Sequence, residues 1–189
     1  MIFNSFHLKS ALLQYYRFQR GYIVATEVSY SLLGIADIMV DTSKQYYEIE
    51  IKTNKQDLLK EESSKAFKHQ VLKEVVGCKE DQVLNESRRY LRKIHKCGIP
   101  NKFYFCVIPE LQESTIEFSE KLNKKYGVIV FDPKIRRDNT IAYWDKPLKI
   151  VKKAYALHTY YGDKIKNSMY RRLSNEVTGI YGKKYKEII

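Results

Sequence analysis

The chain has 189 residues, with 34 lysines and arginines against 22 acidic residues, a net charge of +12 and a pI near 9.4. With 44% hydrophobic and 30% charged residues it can bury a core, so disorder throughout is excluded and one domain, or one domain with an appendage, is expected. No window approaches the roughly 20 apolar residues that span a bilayer, and Met1–Arg20 lacks an apolar stretch with a small-residue cleavage site, so the expectation is a cytoplasmic protein with no membrane partner.

In chain order, Leu8, Leu12, Leu13 and Tyr16 recur at helical spacing and predict a helix over Phe6–Arg20, stopped by Gly21. Alternation of Val24, Thr26, Val28 and Tyr30 predicts a strand over Ile23–Tyr30, and Ser31–Gly34 a turn. Ile35–Asp41 and Tyr46–Thr53, joined by a polar connection, read as an antiparallel hairpin. A helix follows from Lys55 to about Val76, closed by Gly77, and a second, arginine-rich helix is predicted over Asp81–Lys96. The apolar runs Lys102–Ile108 and Gly127–Asp132 read as buried strands on either side of a helix over Glu113–Tyr126. The order is that of an α/β protein whose mixed sheet carries helices on its faces.

The composition shifts after Pro133. Residues 134–189 hold fourteen basic against five acidic residues, a surplus of nine that accounts for most of the net charge. The expected division is therefore a core over 1–133 and a basic, Tyr-rich extension over 134–189, helical and packed on the core. The extension should hold a short strand near Ile141–Trp144 and one or two helices from Leu148 onward. Cys78, Cys97 and Cys106 are odd in number and lack a CxxC spacing, which fits a reducing compartment. A zinc site from Cys78, His95 and Cys97 is weighed and set aside, since separated single cysteines are more often buried thiols.

The most specific pattern is Asp37 within Gly34–Asp41, followed by Glu48-Ile49-Glu50-Ile51-Lys52. Residues two apart on a strand share a face, so Glu48, Glu50 and Lys52 project one way and Ile49 and Ile51 the other. Hairpin pairing brings Asp37 near Glu50, and two adjacent carboxylates repel until a divalent cation binds them through hard oxygen ligands. Such a cation could orient a water and neutralise charge on a scissile phosphate. Lys52 could position or deprotonate that water, or stabilise the pentacovalent state. The bland alternative is a solvated strand face carrying a Glu-Lys pair.

An Asp, then a hairpin connection, then Glu-x-Lys, then a helix resembles the PD-(D/E)XK nuclease superfamily over roughly Phe6–Asp132. Within it, Glu48–Leu58, Phe103–Val107 and Gly127–Val130 look similar to the MmcB-like DNA-repair group. The resemblance implies a restriction-endonuclease-like αβββαβ core, catalytic Asp37, Glu50 and Lys52, and Mg²⁺ as cofactor with Mn²⁺ able to substitute. Its proline is absent, with Ala36 preceding Asp37. Glu27 is a candidate third acidic metal ligand or an exposed strand residue, and Asp57 a helix-start carboxylate.

Lys68 and Gln70 on the helix after Lys52 are candidate phosphate contacts. So are Arg88, Arg89, Arg92, Arg136, Arg137, Arg171 and Arg172, interleaved with tyrosines. The expected activity is a Mg²⁺-dependent endonuclease acting on DNA, in repair, recombination or the processing of mobile-element or phage DNA. A non-catalytic nucleic-acid-binding module of the same fold and an RNA-directed nuclease are the alternatives. A homodimer would suit paired cuts, although no segment compels one.

Overall fold

The structure is a computed structural model that describes residues 3–30, 33–76, 98–138, 140–142 and 145–186, with side chains as far as Ile180. The predicted helix over Asp81–Lys96, with Arg88, Arg89 and Arg92, lies outside the described residues, as do Gly77, Cys78, His95 and Cys97.

Helix α1 (Ser5–Leu13) begins at a reciprocal capping box between Asn4 and His7 and runs on as a π-helix over Gln14–Gln19. It ends, as predicted, at Gly21, which takes the left-handed φ of +69°. Strands β1 (Ile23–Ser29), β2 (Ile35–Asp41) and β3 (Tyr46–Lys52) follow as an antiparallel meander. Helix α2 (Lys55–Ser64) is capped by the Asn54 side chain, which accepts from the Asp57 N–H at 2.8 Å. Asp57 is therefore the acidic residue of the first turn and Asn54 is the cap.

The single helix expected to Val76 is instead two, because Lys65 leaves helical geometry (φ −122°, ψ 27°) before α3 (Ala66–Glu74). Ser63 and Ser64 both donate their hydroxyls back to the Lys60 carbonyl, which competes with the helical ladder just before the break. Strand β4 (Lys102–Val107), helix α4 (Gln112–Leu122) after a 3₁₀ turn at Pro109–Leu111, and strand β5 (Gly127–Phe131) match the expected order.

Leu148–Lys152 is a strand, β6, where the sequence suggested helix, and the helix comes later as α5 (Asp163–Lys186). Ile150 and Val151 favour extended backbone, and β5 offers an unpaired edge for them to complete. Of the expected strand near Ile141, an isolated bridge between Ile135 and Ile141 is described.

The six strands lie in sequence order, β1 to β6, with β3–β4 and β4–β5 parallel and the other pairs antiparallel. One face packs against α1 through Leu8, Leu12, Ile38, Ile49, Ile51 and Cys106. The other buries Met39, Phe103, Phe105 and Val130 under Leu58, Val71 and Leu72 of α2 and α3, Phe118 of α4, and Ile165 and Met169 of α5. The alternation of β3 thus sends Ile49 and Ile51 to the α1 side and Glu48, Glu50 and Lys52 beneath α2 and α3. Residues 134–189 supply both the sixth strand and a helix packed on β1, so they complete the sheet and its cover. Among the described residues no helix is long and apolar enough to cross a membrane.

Candidate active site

The charged row of β3 is buried. Glu48, Glu50 and Lys52 are 0%, 2% and 4% exposed, which removes the solvated strand face as an explanation. Buried charges must be paired, and α2 and α3 deliver the partners. Lys52 Nζ lies 2.8 Å from Glu61 and 3.4 Å from Glu50, with the exposed Asp57 at 3.5 Å. Lys68 Nζ reaches Glu48 at 2.9 Å, Glu50 at 3.3 Å and Glu61 at 3.7 Å. Lys65, at the break between the helices, folds its ammonium onto Glu50. Tyr30 donates its hydroxyl to Glu48, and His69 bridges Glu61 (3.1 Å) and the Tyr126 hydroxyl (2.9 Å).

Three carboxylates, Glu48, Glu50 and Glu61, are therefore matched by three ammonium groups, Lys52, Lys65 and Lys68. Burial opposes the charges of Glu61, Lys52 and Lys68, yet their partners prevail. The His69 hydrogen bond and the three lysines hold Glu61 well below the usual carboxylate range. Glu48, Glu50 and Glu61 likewise push Lys68 above the usual lysine range. Lys52 is pulled down by burial but raised further by Glu50 and Glu61, so it is a protonated ammonium at neutral pH.

Asp37 stands outside this balance. Register pairing of β2 with β3 runs from Asp41↔Tyr46 to Ile38↔Ile49, and beyond it the Asp37 carboxylate accepts the Ile51 N–H at 2.8 Å. Its pKa is raised, first by burial and then by the charge of Glu50, with the Ile51 N–H, Lys9 and Lys65 pulling the other way. The hairpin thus brings Asp37 beside Glu50, as the spacing predicts, and leaves one partly buried carboxylate that no ammonium among the described residues pairs with directly.

Glu27 does not join this pair. It adopts the left-handed φ of +51° at the position of β1, across from Asp37, that drops out of an otherwise unshifted pairing with β2 (Thr26↔Ile38, then Val28↔Ala36). Its exposed carboxylate pairs with Lys9 at 3.0 Å and Arg172 at 3.2 Å. Lys68, expected as a phosphate contact, is 2% exposed and ion-paired beneath the sheet, so it presents no charge to a phosphate. Gln70 is exposed and donates to Glu74 at 3.1 Å. Arg136 and Arg137 are exposed in the connection from β5 to β6, at the sheet edge opposite β1, whereas Arg172 is anchored to β1 by its bond to the Thr26 carbonyl. They do not form one surface.

Glu61 and Tyr30 are site residues that the sequence reading missed. For Glu61 the signal was available: Leu58, Glu61, Lys65, Lys68 and Leu72 recur at intervals of three and four, so charges share a helical stripe with core leucines.

Among the described residues no cluster of three or more His, Cys, Asp and Glu side chains is arranged to hold a metal ion. Mg²⁺, however, is commonly held by one or two carboxylates, with waters and substrate phosphate completing its shell. The Asp37–Glu50 pair, with hard oxygen donors and one charge uncompensated, fits that smaller demand.

No protein-family model matches the chain, and no curated protein matches it in sequence. Among solved structures it is similar to the SPO1766 protein of unknown function from Silicibacter pomeroyi, at 12% identity and a TM-score of 0.49, over 91% of this chain and 85% of that one.

Proposed function

We propose that the protein is a metal-dependent nuclease that hydrolyses phosphodiester bonds of DNA. The observation that carries this reading is the uncompensated Asp37 beside Glu50, next to a charge network that is otherwise balanced. Asp37 and Glu50 would hold Mg²⁺, or Mn²⁺ in its place. When bound, the ion supplies an activated water and neutralises charge on the scissile phosphate. Lys52 is kept protonated by Glu50 and Glu61, so its role is to stabilise charge developing on the phosphorane rather than to take a proton from water. Lys65, half-buried against Glu50, is the second cation at the mouth of the site.

A cleavage panel of single-stranded, duplex, flap and four-way DNA, with matched RNA, tests the reading with Mg²⁺ and Mn²⁺. Asp37→Asn, Glu50→Gln and Lys52→Met should each abolish cutting while the variants remain folded, and excess EDTA should silence the wild type. Cutting that survives either treatment would sink the proposal.

One observation favours a second reading, a nucleic-acid-binding module without catalysis. Both Glu50 oxygens are already engaged by ammonium groups, Oε1 by Lys52 and Lys65 and Oε2 by Lys68. Salt-sensitive DNA binding with no cleavage of any substrate would establish that reading instead.

A further inference from the structure

We propose that the groove between β1 and α5 grips the phosphate backbone of a nucleic-acid strand through Lys164, Ser168, Arg171 and Asn175. The groove has a volume of about 520 Å³ and is walled by Glu27 and Ser29 of β1 and by Lys164, Ser168, Arg171, Arg172 and Asn175 of α5. Positions 164, 168, 171 and 175 follow one another at intervals of four, three and four. They form one stripe of the helix, turned away from the stripe of Ile165, Met169 and Leu173 that packs into the core.

The charges in the groove are of two kinds. Arg172 donates to the Thr26 carbonyl at 3.1 Å and pairs with Glu27 and Glu176, each at 3.2 Å, so it fastens α5 to β1. Lys164 and Arg171 have no acidic partner within ion-pair distance among the described residues. Two positive charges therefore stand in surplus beside a serine hydroxyl and an asparagine amide. A point charge, a planar guanidinium fork and two neutral donors are a set suited to phosphate oxygens. The stripe spans twelve residues, about 16 Å of helix from first to last, which suits a polyanion with regularly recurring charges better than a single small anion. Among the described residues no aromatic side chain lines the groove, which favours contact with the backbone over stacking on bases.

The groove also lies in the right place. Glu27 on its rim lies across from Asp37 of the adjacent strand β2, so a strand lying along α5 passes beside the carboxylate pair. This inference rests on reading that pair as a nucleic-acid hydrolase site, and the test separates the two.

Binding of a short fluorescein-labelled duplex to the full chain is read by fluorescence anisotropy in EDTA, where no metal-dependent cutting occurs, across a salt titration. The Lys164→Gln/Arg171→Gln double variant should weaken binding about tenfold or more and flatten the slope of log affinity against log salt by about 1.8. Lys124→Gln/Lys153→Gln removes the same charge near the other edge of the sheet and should leave affinity within about twofold. Ser168→Glu, which places a negative charge in the stripe, should weaken binding independently, and thermal melts confirm that each variant is folded.

Equal losses from the two doubles, no loss from the groove double, or capture of inorganic phosphate without any oligonucleotide would overturn the groove assignment. If the groove double alone loses binding and no metal supports cutting, the hydrolase reading falls and the groove stands. If cutting is present and the groove double binds like wild type, the groove falls and the hydrolase reading stands.

Discussion

At the scale of single residues, the site is an exercise in charge matching under a low dielectric. Lys68 neutralises Glu48 and Glu50 where water does not reach, so Lys68→Met should cost about 3–5 kcal/mol by leaving buried carboxylates unpaired. Urea denaturation measures it, and a loss under about 1 kcal/mol would show the charges to be solvated. Lys65 is different, since its side chain is 28% exposed and it shares Glu50 with two other lysines. Removing it in Lys65→Gln leaves Asp37 and Glu50 more strongly repelling. Mn²⁺ should therefore bind the variant more tightly than wild type in calorimetry without nucleic acid, whereas weaker binding would make Lys65 the residue that holds Glu50 in position. The sequence made Asp37, Glu50 and Lys52 legible because strand alternation and hairpin pairing are local rules. It hid the role of Lys68, because a lysine on a helix reads as solvated unless one knows which carboxylates lie under it.

At the scale of elements, two features join segments that sequence alone keeps apart. Glu27 holds left-handed backbone inside β1, which costs a residue with a Cβ about 1–2 kcal/mol. Glu27→Ala and Glu27→Gly both lose the pairs with Lys9 and Arg172, but only glycine relieves the backbone. The glycine variant should melt above the alanine variant, and the reverse order would mean that the backbone there is unstrained.

The second junction is His158, buried between the start of β4 and the segment leading to α5. Nδ1 faces the Asn101 amide at 3.4 Å and Nε2 faces the Ile99 carbonyl at 3.1 Å, so the ring is neutral, donating from Nε2 and accepting at Nδ1. Burial drives its pKa down to about 4, against the hydrogen bonds to Ile99, Pro100 and Tyr160 that favour the charged ring. With the folded pKa below the unfolded value near 6.5, His158 takes up its proton less readily when folded. Stability is thus intact above pH about 6.5 and falls as pH drops toward 4, by roughly 3 kcal/mol in all. Denaturation at neutral pH and near pH 4.5 should show this loss in wild type and much less of it in His158→Gln.

At the scale of the whole molecule, the basic C-terminal third is part of the structure and part of the proposed grip at once. Ile165 and Met169 of α5 are 1% and 0% exposed against the core beneath β1. A chain ending at Gly162 should therefore lose its cooperative unfolding transition or precipitate, whereas a soluble, cooperatively folded product would make α5 an appendage. The change in charge near residue 133 is real, but charge marks surface and does not by itself show what the other side of a helix covers. The β-strand order was more legible than the helices. Apolar runs and alternation survive in β1 to β5, while β6 exposes Lys149, Ile150 and Val151 at an edge and so lacks the alternating pattern by which strands are recognised. The break between α2 and α3 was illegible because Lys65 leaves the helix to meet a carboxylate on another element.

The residues assigned to the chemistry, Asp37, Glu48, Glu50, Lys52, Glu61, Lys65 and Lys68, fall within 32 consecutive positions, whereas the groove takes its donors from residues 164–175. The segment from β4 to β6 separates the two in the chain, while the fold sets the groove against β1, the strand next to the one that carries Asp37. Substitution can therefore act on them separately: on the proposed reading, changes along α5 would alter how tightly a phosphate backbone is held, and changes around the hairpin would alter the chemistry.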